Sequence, residues 1–352
     1  MQIVPVGRSL RALSVCATLV ATSAAALAQT RTLAEIASYE GPDRMERLIE
    51  GARKERSLSL YTSRVSEDTT PVIEAFTRKY GVDVQVWRAS NRQVLQRVVQ
   101  ERRAGRCAVD VISSGAPVLE PMQREQLLQA VSSPTIAELM PQARRPHGEW
   151  VGISINIISA AYNTNLVRPD EVPRRYDDLK DPRWKGRLAI DGDDADWFAA
   201  VVGTLGEETG LRLFRDIVRT NGVSVRTGHT LIANMVAVGE VPLALTVYSY
   251  KPEQLARAGA PIRALYLPPV IAFATGVSVT RCATRPNAAV LFHEFMLRDG
   301  QEILAQRDIA PTNPKVKPLP AGVELTFMDP VQMLDHARKW NDLWQQTITK
   351  PQ

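Results

Sequence analysis

Apolar residues follow two periods that alternate along the chain. Leu33, Ile36, Met45, Leu48 and Ile49 fall at helical spacing within residues 30–56. Ser57-Leu58-Ser59-Leu60-Tyr61-Thr62-Ser63 then reads as a strand. Pro71, with Val72, Ile73 and Phe76, predicts a helix that ends at Gly81. Val82, Val84 and Val86 alternate with polar or aromatic neighbours, as in a strand. Ser90 and Gln93 form a capping box for a helix burying Val94, Leu95, Val98 and Val99 and stopping at Gly105. Ala108 to Ile112 is a third strand, followed by Ser113-Ser114-Gly115. This β-α-β-α-β order implies parallel strands with right-handed crossovers.

A long β-prone run, 150–159, follows a proline-marked region. A second set comes next: a strand from Arg187 to Ile190, helices from Trp197 to Leu205 and Leu211 to Arg219, and a strand from Val223 to Arg226. Gly228-His229-Thr230 opens a helix, and Pro242 to Val247 is an apolar strand that ends in Tyr248-Ser249-Tyr250 before Pro252 opens another. Pro261 to Tyr266 and 270–280 are further β-prone runs, Pro286 and Gly300-Gln301 start helices, and residues 329–346 carry a last amphipathic helix. Two α/β sets joined by the runs 150–159 and 270–280 make two lobes, a cleft and a hinge. The predicted lobes are 29–150 with 275–320, and 151–274 with 321–352 together with the C-terminal helix.

The first 28 residues stand apart. Arg8 and Arg11 precede an almost wholly apolar or small-residue stretch from Ala12, and Ala26-Leu27-Ala28 fits a signal-peptidase site. A secretory signal peptide cleaved after Ala28 is expected, with a mature chain in the periplasm. Val15 before Cys16 argues against lipoprotein processing. Removing the leader lowers the formal charge from +5 by its two arginines, leaving a weakly basic chain with no case for nucleic acid. Cys107 and Cys282 remain. An oxidising compartment permits a disulfide between them, and two small buried hydrophobes fit equally well.

Catalytic signatures are missing: there is no Walker A, no G-x-S-x-G and no H-E-x-x-H. His293 reads as a core-edge histidine. Asp191, Asp193, Asp194 and Asp196 lack the glycine and glutamate of a calcium loop and read as a capped strand-to-helix turn. Ligands of open α/β sheets sit beyond strand ends, near helix starts that favour anions. That places Thr62, Ser63 and Arg64, then Arg88, then Ser113, Ser114 and Gly115 on one side of the cleft. Trp197, His229, Thr230, Tyr248 and Tyr250 face them from the other. Strand alternation would point Tyr248 and Tyr250 the same way, able to hold a metal, an anion or a planar solute, or simply to pack at a sheet edge.

Tyr61-Thr62-Ser63, Tyr162-Asn163-Thr164, Tyr176-Asp177-Asp178-Leu179-Lys180-Asp181-Pro182-Arg183-Trp184-Lys185-Gly186, Gly239-Glu240-Val241-Pro242 and Gly259-Ala260-Pro261, with the helix from Pro286, carry a resemblance. The chain resembles periplasmic solute-binding proteins of ABC importers, in the ferric-iron-binding-protein-like branch of the type 2 fold. The resemblance implies a monomeric two-lobed α/β binder with no catalysis and no cofactor. Its partners would be a small-molecule or metal-chelate ligand and an inner-membrane permease. In iron-binding members adjacent tyrosines hold ferric ion with a first-lobe histidine and glutamate. Here Ser249 separates the tyrosines, and Ser63-Arg64-Val65-Ser66 offers no histidine. An anionic organic or phosphorus-containing solute fits Arg64 and Arg88 better than bare ferric ion on Tyr248 and Tyr250. A periplasmic sensor or adaptor, and a secreted enzyme on the same fold, are the alternatives.

Overall fold

The structure is a computed structural model and describes residues 1–2 and 31–350. The expected leader and its cleavage site fall on residues 3–30, outside the described residues. No described helix is long and apolar enough to cross a membrane. In the body from Thr32 onward the strands are β1 (Ser57–Thr62), β2 (Asp83–Arg88), β3 (Val111–Gly115), β4 (Leu128–Gln129), β5 (Val151–Asn163) and β6 (Leu188–Asp191). They continue as β7 (Ser224–Arg226), β8 (Leu243–Tyr248), β9 (Ile262–Leu265), β10 (Val270–Thr280), β11 (Ala310–Pro311) and β12 (Leu325–Phe327).

Neighbours run β2-β1-β3-β10-β5-β8-β6-β7. β1 pairs parallel with β2 and β3, and β6 pairs parallel with β7 and β8, as the crossover order requires. β5 serves both sets. Its first half, to Ile157, pairs antiparallel with β10, and its second half, from Ile158, pairs with β8 and β9. β10 also packs into both halves: Ile271 and Phe273 sit in a core with Trp197 and Phe214, while Val277 and Val279 sit in one with Phe76 and Phe292. The two predicted β-prone runs are therefore the strands where the halves meet.

Neighbouring segments pack closely on these strands because two positions carry no side chain. A Cβ on Gly276 would lie 2.7 Å from Leu119 Cδ1 and 2.8 Å from Trp150 Cε3; one on Gly152 would lie 2.9 Å from the Ala143 Cα. Opposite Thr275 and Gly276 the register skips Ile153, so the extra residue lies on β5 and bends that strand.

Local chemistry explains where the elements differ from their predicted limits. Residues 30–56 form two helices, Leu33–Ser38 and Arg44–Glu55, with Gly41-Pro42 in the break. The helix with Pro71 begins earlier, at Ser66, so Pro71 lies inside it. β3 starts later than Ala108 and includes Ser113-Ser114-Gly115, because β10 pairs with it from Val111 to Gly115. The capping box of Ser90 and Gln93 is formed. His293 is fully buried, not at a core edge, and burial lowers its pKa to about 4.

The predicted C-terminal helix is broken at His336 into Pro330–Asp335 and Ala337–Trp344. The two parts answer to different partners. Before the break, β12 pairs with Val270–Ala272 of β10, and Asp335 meets Arg124 at 2.6 Å. After it, Trp344 packs edge-on against Phe198 at 5.5 Å and donates to the Gly192 carbonyl at 3.2 Å.

Candidate functional site

β1 delivers the first group of polar residues. Thr62 is buried, and its hydroxyl accepts from the Arg64 N–H at 3.1 Å, which turns the chain out of the strand. Ser114 Oγ lies 3.1 Å from Ser63 Oγ and donates to Asn91 Oδ1 at 2.8 Å. β1 and β3 run side by side, so these hydroxyls meet at neighbouring strand ends. Gly115 caps the helix Ala116–Arg124 and lies under Phe273, whose ring would be 3.2 Å from a Cβ there. Arg64 crosses from this group to β5, where its Nη2 donates to Ser154 Oγ at 2.8 Å.

The second group forms around β8. Tyr248 is the last residue of the strand, and the helix Tyr250–Arg257 begins two residues later, ahead of Pro252. Ser249 has helical dihedrals (φ −54°, ψ −32°), so strand alternation ends at Tyr248. The rings nevertheless lie nearly parallel, 17° apart with centroids 6.1 Å apart. Tyr248 also packs on His229 at 4.0 Å and on Phe273 at 6.1 Å. The His229 ring is held by acids: Nε2 lies 3.3 Å from Asp194 Oδ1 and Nδ1 lies 3.7 Å from Asp191 Oδ2. Asp191 in turn accepts from the Gly228 and Asp193 N–H groups at 2.8 and 3.0 Å, which fixes the turn before the His229 helix. This bracing replaces side-chain capping by Asp194, which makes no cap bond.

Charge follows geometry. Burial works against a charged His229, but the Asp194 and Asp191 carboxylates outweigh it and raise its pKa to about 9. Burial raises Tyr248 well above the ordinary phenol range, and Asp194 adds to this. Burial likewise pushes Tyr250 up to about 12. The Arg64 charge opposes the rise at both phenols, and so reaches both from the first-lobe side. Both tyrosines are therefore neutral donors at neutral pH, beside two cations, Arg64 and His229. One oxygen of buried Asp194, Oδ2, has no hydrogen-bond partner.

The other expected site residues are placed as follows. Thr230 follows His229 in its helix and is half-buried. Arg88 ends β2 beside Thr62 but is exposed at the sheet's edge. Trp197 is not in the cleft: it is 1% exposed and packs edge-on against Phe214 at 5.5 Å in the second-lobe core. An aromatic at a helix start fits either role, and here the core takes it. Asn91, Ser154 and Phe273 join the site without having been singled out, and Asp194, expected only to cap a turn, joins it against His229. Their partners are distant in sequence, and only the Ser90 capping box pointed near one of them. Among the described residues no group of three or more His, Cys, Asp or Glu has an arrangement able to hold a metal ion.

Known proteins share this architecture. Residues 108–329 match the family of bacterial extracellular solute-binding proteins. The chain is 24% identical over 290 residues to the Fe(3+)-binding periplasmic protein of Serratia marcescens, covering 77% of this chain and 85% of that one. It is 26% identical over 273 residues to iron uptake protein A1 of Synechocystis sp., covering 72% and 75%. Among solved structures, the periplasmic binding protein AfuA of Actinobacillus pleuropneumoniae, with exogenous fructose-6-phosphate bound, superposes with a TM-score of 0.74 at 21% identity, covering 84% of this chain and 99% of that one. Iron-bound HitA of Pseudomonas aeruginosa gives 0.71 at 23% identity, covering 83% and 99%. With its two-lobed type 2 periplasmic-binding fold, the chain belongs to the bacterial extracellular solute-binding proteins, non-enzymatic components that bind a solute for an ABC importer.

Proposed function

We propose that this protein captures an anion-bearing solute between Ser63, Arg64 and Ser114 on one side and His229, Tyr248 and Tyr250 on the other. The solute is an organic or phosphorus-containing anion, or ferric ion already wrapped by an anionic chelator. The carrying observation is the near-parallel pair of un-ionised Tyr248 and Tyr250, 6.1 Å apart, with His229 packed on Tyr248 at 4.0 Å and Arg64 among the charges that act on both phenols. Neutral phenols, hydroxyls and a guanidinium all donate hydrogen bonds, which suits an anion's oxygens. The same proposal includes export with cleavage after Ala28, a monomer that docks on an inner-membrane permease, and the lobe limits 29–150 with 275–320 and 151–274 with 321–352.

Native mass spectrometry of protein taken from its own periplasm tests the ligand. A retained anion that is lost in Arg64→Ala, with binding weakened on the order of tenfold or more, is the expected result. Retention of an uncharged solute, or unchanged binding in Arg64→Ala, counts against it.

Direct ferric binding is the second reading, favoured by the names of the Serratia and Synechocystis relatives and by the paired rings of Tyr248 and Tyr250. It requires both phenols to lose protons that burial holds on tightly. A visible phenolate-to-iron band on adding ferric ion, abolished in Tyr248→Phe, would establish it.

A further inference from the structure

Cys107 lies in the loop between the helix Asn91–Arg103 and β3, and Cys282 lies just after β10. β3 and β10 are antiparallel partners, with Val111 opposite Val279. At the end of β10 the Thr280 N–H donates to the Asp110 carbonyl at 3.0 Å, and Thr280 Oγ1 donates to the Val109 carbonyl at 2.6 Å, both just ahead of β3. Cys282 comes two residues after Thr280, in a turn closed by the Ala283 N–H on the Thr280 carbonyl at 3.1 Å, and Cys107 comes two residues before Val109. The two thiols are near enough for Cys107 to raise the Cys282 pKa. Both line one small cavity with Val98, Arg102, Leu127 and Thr280. Both are half-buried, so each can be reached from solvent.

We propose that Cys107 and Cys282 join in a disulfide once the chain is exported, and that this bond closes the first lobe beneath the hinge. The span 107–282 contains β3 to β10, so the bond ties together the stretches of chain that leave the first lobe and return to it. It is formed by exchange with a disulfide-bearing oxidant. One thiolate attacks a sulfur of the oxidant, whose own S–S bond breaks and releases a thiolate. The second cysteine then displaces the remaining half of the oxidant and forms the intramolecular bond. Two electrons pass to the oxidant, and two protons leave the cysteines. Burial, with Cys107 beside it, raises Cys282 to about 11, which holds the proton on its thiol.

The bond lies away from Arg64, His229, Tyr248 and Tyr250, so it acts on stability and leaves ligand capture free. The test is thiol labelling of the full chain exported to a periplasm and quenched in acid before lysis. The expected result is no label on either residue without reductant, and a Cys107–Cys282 peptide pair lighter by two hydrogens than the reduced pair. Reductant should lower the thermal midpoint by about 5 °C or more, and Cys107→Ser/Cys282→Ser should melt lower and ignore reductant. Labelling of both thiols in unreduced protein, or a bond from either cysteine to another molecule, overturns the proposal, and this readout does not depend on the variant folding.

Discussion

His229 shows how one side chain couples the site to pH. In the unfolded chain its pKa is the ordinary 6.5, and in the fold it is about 9. Below 6.5 both states carry the proton, and the pairing with Asp194 and Asp191 contributes fully. As pH rises through about 9 the folded imidazole loses its proton and that contribution disappears. A shift of this size corresponds to about 3 kcal/mol. His229→Gln should therefore be less stable than wild type at pH 6 by more than it is at pH 10, with the gap narrowing by about that amount in urea denaturation. A pH-independent gap would show that the carboxylates do not hold the proton there. The tyrosine pair teaches a related lesson. Alternation along a strand predicted that Tyr248 and Tyr250 share a face, and their rings do lie together. The cause is different, because Ser249 is already helical and the second tyrosine is delivered by the first turn of a helix. Sequence exposes side-chain proximity when the residues are neighbours. It does not expose Arg64 bonding Ser154, or Asp194 bracing His229, where the partners meet only through the fold.

Among elements, the helix Pro286–Leu297 carries a buried charge, Glu294, that is matched from outside the helix. All but its first two residues are buried, and Glu294 lies within it with almost no exposure. Arg44 of the helix Arg44–Glu55 meets Glu294 at 3.0 Å, Ser133 donates to its other oxygen at 3.0 Å, and Arg44 also caps the carbonyls of Ile36, Ala37 and Tyr39. Removing one partner leaves a buried charge unmatched. Glu294→Ala should cost about 3–5 kcal/mol in urea denaturation, while Arg44→Met with Glu294→Leu should recover much of that. Equal losses in the single and double variants would show that packing, not the charge pair, sets the cost. The limits of such elements were readable where a cap or glycine marks them, as at Ser90 and Gly81. They were misread where tertiary pairing extends or cuts an element, as in β3 and at His336.

At the scale of the whole molecule, the helix Tyr250–Arg257 leaves β8 and bonds the opposite half. Lys251 meets Glu67 at 2.9 Å, Gln254 donates to the Arg307 carbonyl at 2.7 Å, and Arg257 pairs with Asp308. These contacts favour the arrangement in which the site residues face one another. Lys251→Ala should shift the population toward more open forms, read as a larger radius of gyration in X-ray scattering without ligand and a few-fold weaker ligand binding. An unchanged radius would mean the bond is not part of closure. Two lobes and two connecting runs were legible because long apolar runs between α/β sets have few other uses. The break at His336 was not, and it changes the mechanics. With β5 and β10 side by side, two connections would leave the halves free to twist about the ribbon as well as to bend across it. The segment from β12 to Trp344 is a third tether, fastened to Arg124 and β10 at one end and to Phe198 at the other. A third fastening set apart from the first two resists torsion, so the halves are left to move as the covers of a book rather than as the blades of a propeller.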